Sequence, residues 1–230
     1  MNQPVNHQQA ITSTSTALAP EVAKVLRNTY TLLAMTIAFS AVTAGISMAI
    51  GLGFGAAMIM LIASLLLVWF VLPRTANSAK GIWVVFAFTG LLGASLGPTL
   101  NHYLAFANGP QMVMQALGGT ALVFFALSAY VLTTKKDFSF MGGFLFVGLV
   151  VAIIAMVGLL VAGMFGVNVS WMHTAWSAAI VLLMSGFILF DTSRIISGGE
   201  TNYLMATTSL YLNIYNLFVN LLHLLGAADD

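Results

Sequence analysis

The sequence lacks cysteine and is poor in charge. None of its 230 residues is cysteine, which excludes disulfide bonds, thiolate metal ligands and cysteine nucleophiles. Asp, Glu, Lys and Arg together make up only 6% of the chain, against about 25% in soluble domains. The formal net charge is +1 at pH 7. So weak a charge gives no electrostatic basis for binding nucleic acid.

Apolar residues make up 60% of the chain. A helix that crosses a bilayer needs about 20 consecutive apolar residues, and seven segments approach or exceed this length. They are Tyr30–Ile50, Ala56–Leu72, Ile82–Leu100, Met112–Thr134, Phe140–Phe165, Trp171–Ile196 and Tyr203–Leu225. The segments between them are short and polar or rich in glycine and proline, as turns are. The sequence therefore predicts an all-α bundle of seven transmembrane helices in a lipid bilayer.

The basic residues predict the orientation of this bundle. They precede the first span or lie between spans two and three, four and five, and six and seven. The full set is Lys24, Arg27, Arg74, Lys80, Lys135, Lys136 and Arg194. Loops with Lys and Arg stay in the cytosol under the positive-inside rule. We therefore expect a cytosolic N-terminus and an extracytosolic C-terminus.

The N-terminal region differs in composition from the rest. Residues 1–28 begin with a run rich in Gln, Asn, Ser and Thr that has little apolar periodicity. Such a composition predicts a disordered cytosolic tail ahead of a seven-helix domain at 29–230. Two interpretations stay open: the tail is inert, or a membrane-anchored unfoldase engages it first.

Glycines recur at helical spacing in the third span, at Gly90, Gly93 and Gly97. Hydrophobic burial does not drive helices together in lipid, so their association depends on close packing, which small residues permit. We expect this glycine face to pack directly on a neighbouring helix.

The seventh span carries a polar stripe, which we define as Ser209, Asn213, Asn216, Asn220 and His223. Steps of four and three residues place all five side chains on one helix face. Hydrocarbon cannot satisfy their hydrogen bonds, so the stripe must face protein or water. It forms either interhelical hydrogen bonds or the wall of a hydrated pathway.

Asp191 lies near the end of the sixth span, in the segment "FDTSRI". Asp191 and Asn213 are equally far along the chain from Asn202, in the turn of a helical hairpin. This symmetry predicts that they face each other if the turn is centred there. Arg194 follows Asp191 by one helical turn and is the alternative partner, in an exposed ion pair.

Enzymatic motifs are missing. No G-x-S-x-G occurs, so a serine hydrolase has no support. Three histidines, His102, His173 and His223, fall near one set of helix ends. Their spacing matches no H-E-x-x-H motif. We therefore expect neither an enzyme nor a bound metal or cofactor.

Several segments resemble the Bax inhibitor-1 family of seven-span membrane proteins. They are "GPTL", "ALGGTALVF", "FDTSRI" and "SLYLNIYNLFVNLL". Other stretches, such as "LSAYVLTTKKDFSFMGG", are similar to bacterial inner-membrane members that modulate the FtsH protease. The resemblance implies an inner-membrane protein that binds the FtsH complex. We interpret it as a poor, competing substrate of that protease.

Calcium-leak members of the family have a pair of aspartates, on helices six and seven, and an arginine from helix two. The resemblance places the first aspartate at Asp191 and the second at Asn213, which cannot ionise. The arginine position falls at Val71 or Arg74. The ionisable pair is therefore absent, which favours the protease modulator. The alternative function is a cation leak, with calcium as the transported ion and Asp191 at its cytosolic mouth.

Overall fold

The computed structural model describes residues 18–229, and within that range the chain is helical and contains no β-strand. Its helices are α1 (Pro20–Ala49), α2 (Phe54–Leu66), α3 (Leu72–Thr75), α4 (Lys80–Ser95), α5 (Gly97–Leu104), α6 (Gly109–Thr134), α7 (Gly142–Met164), α8 (Ser170–Ile196) and α9 (Tyr203–Asp229). Among these residues, seven helical segments are long and apolar enough to cross a membrane. The predicted seven-span all-α fold is confirmed.

The second and third spans are interrupted along their length. The second span joins α2 to α3 through a π-helical turn, Leu67–Val71, and the third joins α4 to α5 through a turn at Leu96. The predicted second span ended before Pro73, whereas the structure continues it to Thr75. The backbone N–H of Leu72 donates to the carbonyl of Leu67, five residues back. This wider turn precedes a proline that has no N–H of its own to donate.

The first helix begins earlier than the predicted span. Residues 1–17 of the predicted tail lie outside the described part of the chain. Residues 20–28, which were assigned to the same tail, belong to α1. Pro20 at the start of the helix and Glu21 in its first turn explain this beginning, because a proline and a negative charge both suit a helix N-terminus.

The seventh span, α9, lies at the centre of the bundle. It packs against the first, third, fourth and sixth spans. The first and third spans also pack closely on each other, through the predicted glycine face. A Cβ added at Gly93 would collide with the backbone oxygen of Ser40, and one at Gly97 with the side chain of Ser47. These glycines therefore set how closely the two helices approach.

The basic loops meet at one end of the bundle, which we call the basic end. Asn202, before α9, donates from Nδ2 to the carbonyl of Ala76 and to Oδ1 of Asn77, each at 2.9 Å. The backbone N–H of Phe138 donates to Ser193 Oγ at 3.2 Å. These bonds tie the loop after the second span to the start of the seventh span, and the loop after the fourth span to the end of the sixth. The basic end is the one predicted to face the cytosol.

Candidate functional site

The hairpin of the sixth and seventh spans positions the candidate site. α8 ends at Ile196, and Gly198 then adopts a positive φ of 76°, a conformation that glycine adopts without strain. The Glu200 N–H donates back to the Arg194 carbonyl at 3.0 Å, which closes the helix end. Asn202 Oδ1 caps the next helix by accepting from the Leu204 N–H at 2.9 Å. Both helix ends are thus fixed, and with them the register of the hairpin.

Asp191 lies in this hairpin with its carboxylate against the seventh span. Ser209 Oγ donates to Asp191 Oδ2 at 2.5 Å, and Asn213 Nδ2 donates to the same oxygen at 2.7 Å. Asp191 and Asn213 are each only 6% exposed. The structure thus brings Asp191, Ser209 and Asn213 into one buried cluster, which we call the Asp191 cluster.

Arg194 is held elsewhere. Its Nη2 lies 3.6 Å from Glu200 Oε2 and donates to the Gly199 carbonyl at 3.4 Å. The guanidinium also lies over the ring of Phe190, 5.5 Å from its centroid. Of the two partners considered for Asp191, the structure therefore places Asn213 in contact and pairs Arg194 with Glu200 at the basic end.

The asparagines farther along the polar stripe form hydrogen bonds within their own helix. Asn216 Nδ2 donates to the Leu212 carbonyl and Asn220 Nδ2 to the Asn216 carbonyl, both at 2.8 Å within their own helix. Asn220 Oδ1 is buried and has no hydrogen-bond partner among residues 18–229. Among the hydrogen bonds of the described residues, the stripe thus reaches the sixth span at Ser209 and Asn213. Farther along, its amides satisfy backbone carbonyls of their own helix.

Neither candidate arginine position joins the Asp191 cluster. Arg74 is exposed, and its Nη1 donates to the Phe70 carbonyl at 2.5 Å, one turn back in its own span. Val71 lies in the π-helical turn. The second span packs on the third. None of the hydrogen bonds described for Asp191 involves this region.

The opposite face of the seventh span carries a second polar cluster, which sequence reasoning missed. Tyr211 Oη lies 2.5 Å from Ser40 Oγ in the first span, and it donates to the Thr89 carbonyl in the third at 3.3 Å. Tyr215 Oη lies 3.2 Å from Ser95 Oγ, also in the third. The available signal was two tyrosines four residues apart inside a span, because a buried phenol hydroxyl needs a partner.

The three histidines do not gather around a common metal site. Within residues 18–229 no group of three or more His, Cys, Asp or Glu side chains has a geometry suited to a metal ion. His102 and His223 instead lie against Tyr103, with ring centroids 5.4 and 5.8 Å from that of the tyrosine.

The chemistry available to the Asp191 cluster is that of one carboxylate with two neutral donors. Both donors reach Oδ2, so Oδ1 is the atom that could accept from water or contact a cation. Carboxylate, hydroxyl and amide oxygens are also the ligand types that hard cations such as calcium prefer. The cluster could therefore hold the helices together or contribute to a cation path.

Comparison with known proteins identifies the family to which the chain belongs. The sequence model of the family described as "Inhibitor of apoptosis-promoting Bax1" matches residues 22–230. The chain is 52% identical over 206 residues to "Modulator of FtsH protease YccA" of Escherichia coli K12, covering 90% of this chain and 91% of that protein.

Two further relatives are as similar. "Inner membrane protein YccA" of Escherichia coli O6:H1 is 52% identical over 206 residues, with the same coverage of 90% and 91%. An uncharacterised membrane protein of Vibrio cholerae serotype O1 is 52% identical over 210 residues, or 91% of this chain and 92% of its own length. With seven spans, the chain is a multi-pass inner-membrane protein, as predicted. It belongs to the Bax inhibitor-1 family.

Proposed function

We propose that this protein modulates the FtsH protease by binding it as a poor, competing substrate. The observation that carries the proposal is the 52% identity to a modulator of that protease across nine-tenths of both chains. A substrate that binds but is degraded slowly keeps the protease occupied. It then inhibits the degradation of other substrates in proportion to its concentration and affinity.

Resistance to extraction is the structural requirement of this mechanism, and the seventh span supports it. Pulling α9 from the bundle breaks the hydrogen bonds of Asp191 on one face and of Tyr211 on the other. A polar group left without a partner in hydrocarbon costs several kcal/mol. Because α9 is bonded on both faces, its removal requires that its contacts with the first, third and sixth spans break at the same time.

The tail supplies the other half of the mechanism, a segment that the protease can engage. This part of the proposal rests on composition, because residues 1–17 lie outside the described structure. We expect deletion of residues 2–19 to leave membrane insertion intact and to slow degradation of the protein itself. A deletion variant that still binds through its membrane domain is not consumed, so it should inhibit FtsH more strongly. Pulse-chase half-lives of this protein and of a second membrane substrate measure the two effects. An unchanged half-life would contradict a role of the tail in degradation.

Orientation is a precondition, because a tail that FtsH engages must lie in the cytosol. All seven Lys and Arg residues lie at the basic end, and the positive-inside rule places that end there. A reporter fused after Asp230 should respond as extracytosolic and one inserted at Asp137 as cytosolic. The reverse result would remove the tail from the protease and contradict the proposal.

A cation leak is the second candidate, and the Asp191 cluster is the observation that favours it. A carboxylate at 6% exposure inside a span is costly, and such residues commonly belong to ion pathways. Calcium flux into liposomes with and without the protein, set beside co-purification with FtsH, separates the two functions. Flux that disappears in Asp191→Asn, without FtsH binding, would replace the modulator by the leak.

A further inference from the structure

The half of the bundle away from the basic end contains a cavity of about 250 Å³. Its walls come from the first, third, fourth and seventh spans. Along the first span it extends from Ile37 to Met48, which is about 16 Å at a rise of 1.5 Å per residue. This length is roughly half of the 30 Å hydrocarbon core of a bilayer. The cavity is therefore long, parallel to the helices, and one leaflet deep.

The cavity opens sideways into the bilayer. Its two outer walls are the first and fourth spans, which contact each other nearer the basic end, where the rings of Tyr30 and Phe124 lie 5.9 Å apart, but are separated along the cavity. Ala41 and Gly45 on one wall and Leu117 on the other are exposed, and all three line the cavity. Whatever fills the space must therefore be something that the surrounding lipid can supply.

The interior suits hydrocarbon and not water. Its lining is apolar apart from three hydroxyl groups, of Ser40, Tyr211 and Tyr215. The hydroxyls already have partners, since Ser40 and Tyr211 contact each other and Tyr215 contacts Ser95. At about 30 Å³ each, some eight water molecules would fit the volume, and each would need two to four polar partners. The walls do not offer that number.

We propose that this cavity binds one acyl chain of a phospholipid from the leaflet away from the basic end. The dimensions match a single chain that lies along the membrane normal. Its occupancy completes the wall that the first and fourth spans leave open, so the lipid is a bound component of the fold.

The headgroup of this lipid meets no Lys or Arg residue. All Lys and Arg residues of the sequence belong to the basic end. At the other end Asn101, which follows the cavity residue Leu100, donates from Nδ2 to the carbonyl of the cavity residue Met48 at 3.2 Å. A neutral amide does not distinguish an anionic from a zwitterionic headgroup. Recognition therefore rests on the acyl chain alone.

Glycines provide a matched pair of variants for the test. A Cβ added at Gly45, in the cavity wall, meets no atom within 4 Å, and the same holds at Gly118 on the fourth span, which does not line the cavity. Gly45→Leu should occupy the cavity without strain, and Gly118→Leu should leave it open. Leu117→Trp, which narrows the opening from the facing helix, is an independent second variant.

The experiment uses the full chain in vesicles of phosphatidylethanolamine that carry a photoreactive diazirine at the end of one acyl chain. Mass spectrometry then locates the labelled residues. We expect labelling to concentrate on the cavity lining in the wild type. It should fall by roughly tenfold in Gly45→Leu, because the leucine displaces about two methylene groups of the acyl chain, and also in Leu117→Trp. Gly118→Leu should match the wild type.

Labels spread over the lipid-facing surface in proportion to exposure, or an unchanged cavity signal in both blocking variants, would overturn the proposal. A parallel arm uses phosphatidylglycerol with the same reactive chain, and we expect equal labelling of the cavity. Labelling by the anionic lipid alone would show recognition through the headgroup and would also overturn it. Thermal unfolding of each variant in detergent confirms that the comparison is made on folded protein.

Discussion

The fifth and seventh spans show opposite uses of a membrane helix. The fifth is the most apolar span, yet only 11% of its most apolar 18-residue window is buried. The seventh is the least apolar and is 44% buried by the same measure. In lipid, apolar residues need no protein cover, whereas polar residues must find partners inside the bundle. Polarity within a span therefore indicates the centre of this fold, the reverse of the rule for soluble proteins.

Placing a charged residue on the lipid-facing side of the fifth span should have the largest effect on membrane insertion. Ile154 lies near the middle of that span and is 66% exposed. Ile154→Asp places a carboxylate in hydrocarbon and should cost about 3 kcal/mol of insertion free energy. Ile154→Leu is the control and should be neutral. The amount of protein in the membrane fraction measures both, and equal amounts would show that the fifth span does not face lipid.

Filling the glycine contact gives the next largest effect. Gly93→Ala puts a methyl group against the backbone oxygen of Ser40, which cannot move without shifting the first span. Overpacking of this kind costs about 1–3 kcal/mol. Gly118→Ala, with open space around the new methyl, should be neutral. Reversible unfolding of the two variants in bicelles makes the comparison, and equal stabilities would show that the first and third spans are not packed through Gly93.

These contrasts also show what could be predicted from the sequence. The seven spans followed from the length of the apolar runs, and the basic end from the parity of the Lys and Arg positions. Both are properties of single segments. The close contact at Gly90, Gly93 and Gly97 likewise followed from their spacing, because glycines on one helix face let a neighbouring helix approach closely.

Partners within the bundle were harder to predict, because they depend on how helices rotate against each other. Asp191 had two partners of equal standing, and the hairpin register placed it against Asn213. From the sequence, the serine and the three asparagines of the polar stripe were equally suited to bond a neighbouring helix. In the structure, Asn216 and Asn220 instead bond carbonyls of their own helix. The cluster at Tyr211 was missed because its partners, Ser40 and Thr89, are far away in sequence and common in any span.

Removing the Asp191 carboxylate should have at most the effect of the glycine change. Asp191→Ala leaves the hydroxyl of Ser209 and the amide of Asn213 without their acceptor, at about 1–3 kcal/mol. Asp191→Asn keeps an acceptor oxygen in the same place and should recover most of that loss. Unfolding in bicelles measures both variants. If the two were equally unstable, the charge of Asp191 and not its hydrogen bonds would hold the hairpin.

The smallest effect is expected three residues away, at Arg194. This residue is on the same helix as Asp191, but its side chain is 38% exposed and its partner is Glu200. An exposed ion pair contributes about 0–1 kcal/mol and is screened by salt. Arg194→Gln should therefore cost no more than about 0.5 kcal/mol, and the cost should vanish at high ionic strength. The loss in Asp191→Ala should not change with salt, because those hydrogen bonds are buried.

The double variant Arg194→Gln, Asp191→Ala tests which residue is the partner of Asp191. If Arg194 serves Glu200 alone, the effects of Arg194→Gln and Asp191→Ala add. A large, salt-independent loss in Arg194→Gln that disappears in the Asp191→Ala background would show instead that Arg194 and Asp191 interact, and that the polar centre of the seventh span extends to the basic end.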